Sequence, residues 1–165
     1  MIEVVNIADE LVELIKGFKT FDGKSIIPDG ITKVVVERGF HFVDGKQIPD
    51  GELNVAVYPI ARRKQSNGKN SKSITATVYV VIKAKTLPNQ ASRDKNDALL
   101  KYGVCLDKFL EGRRICGAIN LISEDDQFYW FPDEMHKNNH FSSLLELQYK
   151  WEERKGGNPP TQSNS

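Results

Sequence analysis

Residues 53–85 read LNVAVYPIARRKQSNGKNSKSITATVYVVIKAK, and this stretch sets the architecture of the chain. Leu53, Val55 and Val57 alternate with Asn54, Ala56 and Tyr58. Further on, Ile74, Ala76, Val78, Val80 and Ile82 alternate with Thr75, Thr77, Tyr79 and Val81. A period of two gives each strand one apolar face. The segment between them is polar, contains an Asn67-Gly68 turn, and carries Arg62, Arg63, Lys64, Lys69 and Lys72 with no acid. Two alternating strands around such a segment predict a long β-hairpin with an extended, flexible tip. Pro59 limits where the first strand pairs at its far end, because proline has no N–H to give to a ladder.

Upstream, Ile7, Leu11, Leu14 and Ile15 fall on one helical face, with Asn6 as the expected N-cap, Asp9 and Glu10 in the first turn, and Gly17 as the stop. Turn signals at Asp22-Gly23 and Pro28-Asp29-Gly30 precede a β-branched strand, Ile31 to Arg38. A further strand fragment is expected between Gly39 and Gly51. Downstream, Pro88 to Ser92 reads as a connection, with Ser92 as the cap of a helix ending near Gly112. Its periodic residues are Leu99, Leu100, Tyr102, Leu106, Phe109 and Leu110. Ile115 to Ile122 reads as one short strand, Ser123 to Met135 as a loop, and Phe141 to Glu152 as a final alternating strand. The end, from Gly156 to Ser165, has the composition of a disordered tail.

Helix, strands with a long hairpin, helix, strands: this order predicts an α+β fold, a mainly antiparallel β-sheet with two helices packed on one face. It gives one domain over residues 1–152 and a tail over 153–165. The chain has 165 residues, in keeping with one domain. Hydrophobic residues are 39% and charged residues 27%, a balance that supports a core and argues against a disordered chain. Lys and Arg number 23 against 22 Asp and Glu, a formal charge of +1. That near-neutrality argues against a dedicated nucleic-acid binder. No apolar run approaches the length of a membrane span, and the N-terminus lacks the basic-then-apolar pattern of a signal peptide. Cys105 and Cys116 are expected to be reduced, buried thiols.

Signatures of catalysis are missing from the sequence. His136 and His140 have the i, i+4 spacing of two metal ligands, but the run His136-Lys137-Asn138-Asn139-His140 lacks the adjacent glutamate of a metalloprotease and is a poor helix. No nucleophile elbow, phosphate loop or dinucleotide fingerprint occurs. Glu124, Asp125 and Asp126 read as a solvated turn. The features that remain point to contacts with other macromolecules. The hairpin tip is basic (Arg62, Arg63, Lys64, Lys69, Lys72), and the segment before the last strand is acidic (Glu124, Asp125, Asp126, Asp133, Glu134) around an aromatic run (Phe128, Tyr129, Trp130, Phe131). A solvated tip, a protein partner and a nucleic-acid partner all remain open for the basic cluster, which lacks the interleaved aromatics of a base-stacking surface. Aromatics in a loop bury in the core or against a partner.

Taken in order, the amphipathic helix from Ile7 to Gly17, the strand ending Val55-Ala56-Val57-Tyr58-Pro59, the basic hairpin, the long strand from Ile74 to Lys85, the helix from Ser92 to Gly112 and the closing strand Phe141-Ser142-Ser143-Leu144-Leu145-Glu146-Leu147-Gln148-Tyr149 resemble the tail terminator, or tail completion, proteins of tailed bacteriophages. The resemblance covers about residues 6–152 and rests on element order and pattern. It implies a structural virion protein, without catalysis or cofactor, that caps the tail tube as a hexameric ring. Such a ring ends tube polymerisation and forms the head–tail joining surface. The implied partners are other copies of the chain, the tail tube protein and a head–tail connector or neck protein. DNA would pass through the lumen without sequence-specific binding. The implied location is the virion, and the host cytoplasm during assembly. Another neck component, or a small nucleic-acid-binding protein or enzyme, are the alternatives.

Overall fold

The computed structural model describes residues 2–39, 48–68, 70–85, 90–120, 128–131 and 140–154, with backbone only at 90–92, 120 and 128. The chain begins with α1 (Val4–Lys16), followed by a small hairpin of β1 (Thr20–Phe21) and β2 (Lys24–Ser25). Then come β3 (Lys33–Arg38), β4 (Glu52–Ser66), β5 (Ser71–Lys85) and α2 (Gln90–Leu110). The last strands are β6 (Arg114–Ile115), β7 (Ala118–Asn120), β8 (Phe128–Trp130) and β9 (His140–Arg154). Seven strands form one sheet in the order β3-β4-β5-β9-β7-β6, with β8 also paired to β9. The fold is α+β, as the periodicity predicts. The sheet is mostly antiparallel, and the β3–β4 pair is parallel. Parallel neighbours need a crossover of about a dozen residues or more, and residues 39–51 supply that length.

Both helices lie on one face of the sheet and share its core. Ile7, Ala8, Leu11, Val12 and Ile15 form the buried stripe of α1, and Leu99, Tyr102, Leu106 and Leu110 that of α2. They close over Leu53, Val55 and Val57 of β4, the even-numbered residues from Ile74 to Ala84 of β5, and the odd-numbered residues from Phe141 to Trp151 of β9. Phe18 locks the helices together, stacked on Phe109 with ring centres 4.7 Å apart and tilted against Tyr102 at 5.8 Å. Arg113 caps the C-terminal turn of α2 by donating to the Phe109 carbonyl and lying over its ring, 4.1 Å from the centre.

Several boundaries differ from those the sequence predicts. α1 starts at Val4, with Glu3 rather than Asn6 at the cap and no side-chain capping bond. Ile2 and Val4 pack at the margin of the core, so burial adds a turn that capping preference alone would omit. Asp9 and Glu10 therefore sit beyond the first turn. Asp9 pairs with Arg38 at 2.9 Å, and Glu10 reaches the β6–β7 turn. α2 likewise starts at Gln90, two residues before Ser92. Ile115 to Ile122 is not one strand. Cys116 (φ 52°) and Gly117 (φ 87°) make a two-residue turn between β6 and β7, the left-handed pair that suits a tight hairpin. The strand fragment expected within 39–51 falls mostly on residues 40–47, outside the described residues.

The most consequential difference lies in the hairpin. β4 does not end at Pro59 but continues to Ser66, and β5 starts at Ser71. The extended flexible tip is thus reduced to the few residues from Asn67 to Asn70, and Arg62, Arg63 and Lys64 are strand residues. Pro59 is accommodated by a bulge: Pro59 faces Val78, Ala61 faces Thr77, and Ile60 is the extra residue between them. Beyond Val57, where β3 stops, β4 has no second partner strand among the described residues, the edge position at which a sheet tolerates proline. β9 also runs to Arg154, beyond the expected domain end at residue 152, and pairs with β5 as far as Ser71. β4, β5 and β9 are each 15 residues long, roughly 50 Å at about 3.3 Å per residue.

Candidate functional site

The far end of these three strands forms an arm: 61–66 of β4, 71–77 of β5 and 148–154 of β9. The bulge at Ile60 reverses the alternation of β4. Before it, odd-numbered residues face the helices. After it, Arg62, Lys64 and Ser66 take that side, opposite Ala76, Ile74 and Lys72, while Arg63 turns to the other face opposite Thr75. Without the bulge the pattern would place Arg63 on the helix side.

One carboxylate organises the helix side of the arm. Glu153 lies on the same face as Trp151 and directly opposite Lys72. Its side chain is only 8% exposed. Oε1 accepts the indole N–H of Trp151 at 3.2 Å. Oε2 is 3.6 Å from Lys72 Nζ and 3.9 Å from Arg62 Nη2. Glu153 thus gathers a group from each of the three strands. Burying a carboxylate is costly unless it is paired and hydrogen-bonded, and these contacts supply both. Arg63 on the open face and Lys64 on the helix side are both exposed, and neither has an ion-pair partner among the described residues. At the turn, Asn67 donates its amide to the Ser73 hydroxyl. Lys69 lies outside the described residues.

The aromatic run occupies the opposite edge of the sheet. It is not a loop: residues 128–130 form β8, with Phe128, Tyr129 and Trp130 level with Leu145, Leu144 and Ser143 of β9. The N–H of Phe131 continues the ladder to the Ser142 carbonyl. Trp130 stacks on buried Phe141 with ring centres 6.4 Å apart. Even so, Tyr129, Trp130 and Phe131 remain 44%, 39% and 42% exposed. β7 takes the same edge of β9 further along, at Lys150 and Tyr149. Glu124, Asp125 and Asp126, between β7 and β8, and Asp133 and Glu134, between β8 and β9, lie outside the described residues.

The basic and aromatic groups therefore do not converge. Arg63 is level with Lys150 through Thr75, whereas Tyr129 is level with Leu144. Six residues along β9 at about 3.3 Å each, and three inter-strand steps at about 4.8 Å each, separate them by roughly 25 Å. They mark opposite corners of one sheet. Of the spaced pair His136 and His140, His140 opens β9 and His136 lies outside the described residues.

The cysteines are free, with Cys105 buried in α2 and Cys116 only half-buried. Glu10 Oε2 accepts both the Cys116 N–H at 3.1 Å and its thiol at 2.8 Å. Loss of solvation, then the neighbouring Glu10 carboxylate, push the pKa of this thiol up to about 11. The thiolate is the nucleophile, so alkylation at pH 8 should run about a hundredfold slower than at a free thiol. The rate of Cys116 labelling, followed by mass spectrometry, should rise steeply above pH 10, and Glu10→Gln should move that rise to lower pH. A rate equal to that of a free thiol at pH 8 would contradict the hydrogen-bonded geometry.

Neither a known protein family nor a curated protein matches this chain.

Proposed function

We propose that the chain is a tail terminator protein of a tailed bacteriophage, a structural subunit that closes the tail tube as a ring. The observation that carries this reading is the placement of two unlike exposed patches, one basic and one aromatic, at opposite corners of one sheet. A closed ring needs two different patches on each subunit. Each subunit meets its two neighbours through different patches, and the contact is heterologous. A two-fold dimer would instead use one patch twice. Complementary charge and a central aromatic anchor are economical means of fixing such a contact. The extended arm suits the joint between ring and tube, and the element order resembles that of the terminator family. In this reading the protein has no catalytic role, and the basic arm faces partners or the DNA conduit.

Mixed with its polymerising tail tube protein, the purified chain should bind one end of each tube as a ring and stop growth, seen by negative-stain electron microscopy. Binding along the whole tube would identify a tube component instead. Tubes that grow unhindered would contradict the proposal.

A further inference from the structure

We infer that Glu153 is a built-in counter-ion that holds down the affinity of the arm for nucleic-acid phosphates. The cations of the hairpin occur without an acid in their own segment, yet the fold brings one to them from β9. Arg62 and Lys72 share the Glu153 carboxylate at 3.9 and 3.6 Å. The carboxylate itself is fixed by the Trp151 indole and is largely shielded from water. The pairing divides the cluster in two. Arg62 and Lys72 share the one negative charge on the helix side, which offsets one of their two positive charges, whereas Arg63 on the other face and Lys64 at the exposed edge have no ion-pair partner among the described residues. The bulge at Ile60 makes this division, since it sends Arg62 rather than Arg63 towards Glu153.

The physical consequence is a surface that attracts a polyanion without holding it. Phosphate binding gains from release of condensed counter-ions, and each cation that truly contacts a phosphate steepens the dependence of log K on log salt by about 0.9 on duplex DNA. A cation already paired with a buried carboxylate adds little. The arm also lacks an aromatic for base stacking on its exposed side, so no second contribution replaces the masked charge. A surface beside a DNA conduit needs this weak, sequence-independent contact. That purpose rests on the ring reading, but the masking itself does not.

The test uses the purified full-length protein and a short duplex DNA of mixed sequence, with binding followed by fluorescence anisotropy between about 20 and 200 mM salt. Glu153→Gln keeps an acceptor for Trp151 and removes the charge. It should tighten binding and steepen the salt slope by about 0.9, the one positive charge it releases. Glu152→Gln makes the same change in net charge at the neighbouring exposed position and should steepen the slope by less than half as much. Equal effects from the two variants, or no DNA binding by any of the proteins, would overturn the inference. Gained affinity for poly-glutamate without any for DNA would also overturn it, since the freed cations would then serve a carboxylate partner. A second pair avoids any change at the buried position. In the native background Arg63→Gln should flatten the slope by about 0.9, whereas Arg62→Gln, which removes one of two cations sharing a single carboxylate, should flatten it by about half as much. Equal losses would show that Arg62 is not masked.

Discussion

Trp151→Ala should destabilise the protein by about 3–5 kcal/mol, the usual cost of deleting a large buried aromatic. The indole is 5% exposed and stands directly opposite Ile74, itself fully buried. Its removal opens a cavity between the arm and the core. It also takes from Glu153 the N–H that holds the carboxylate between Arg62 and Lys72. A single domain has about 5–15 kcal/mol of stability in total, so this variant stands near the limit of folding. Urea denaturation followed by circular dichroism measures the effect: the midpoint should fall sharply with little change in slope. A loss below about 1 kcal/mol, in the range of surface substitutions, would mean that the arm is not part of the cooperative fold.

The second large effect concerns assembly. Arg63→Glu with Lys64→Glu should leave the monomer folded, within about 0.5 kcal/mol of the native protein, because exposed residues without partners contribute little to stability. Arg62 is kept in this design, since a glutamate there would face Glu153. If the arm edge makes the ring contact proposed above, reversing two charges there places like charges together, which costs several kcal/mol. Incorporation into particles should fall on the order of a hundredfold, at about 1.4 kcal/mol per factor of ten. Incorporation at the native level would remove the arm edge from the interface.

Most of the fold was legible because its signals are local. The alternation of residues 53–57, 74–82 and 141–151 places each side chain on the side of the sheet where it is found, and the apolar stripes of α1 and α2 identify the faces that pack on it. The candidate site was less legible because its geometry depends on pairing across strands. The polar composition of residues 62–72 predicts a loose tip, but the segment is held in a ladder by β9, a strand some eighty positions away. Tertiary pairing outweighs local polarity there. The same holds for the aromatic run, which reads as a loop but pairs as β8. Glu153 was missed although a signal was present: it continues the odd-numbered apolar series of β9 past Trp151, so an acid stands where the pattern expects a core residue. Pro59 gave a second signal. Proline within an alternating strand marks an edge or a bulge, and here it marks a bulge.

The measurement that bears most directly on the central claim is the tail-length distribution of particles made without this protein, read by electron microscopy. If the chain closes the tube, its loss should give tails of uncontrolled, excessive length that remain unjoined to heads, and supplying the native protein should restore a single length. Tails of normal length attached to heads in its absence would contradict the account.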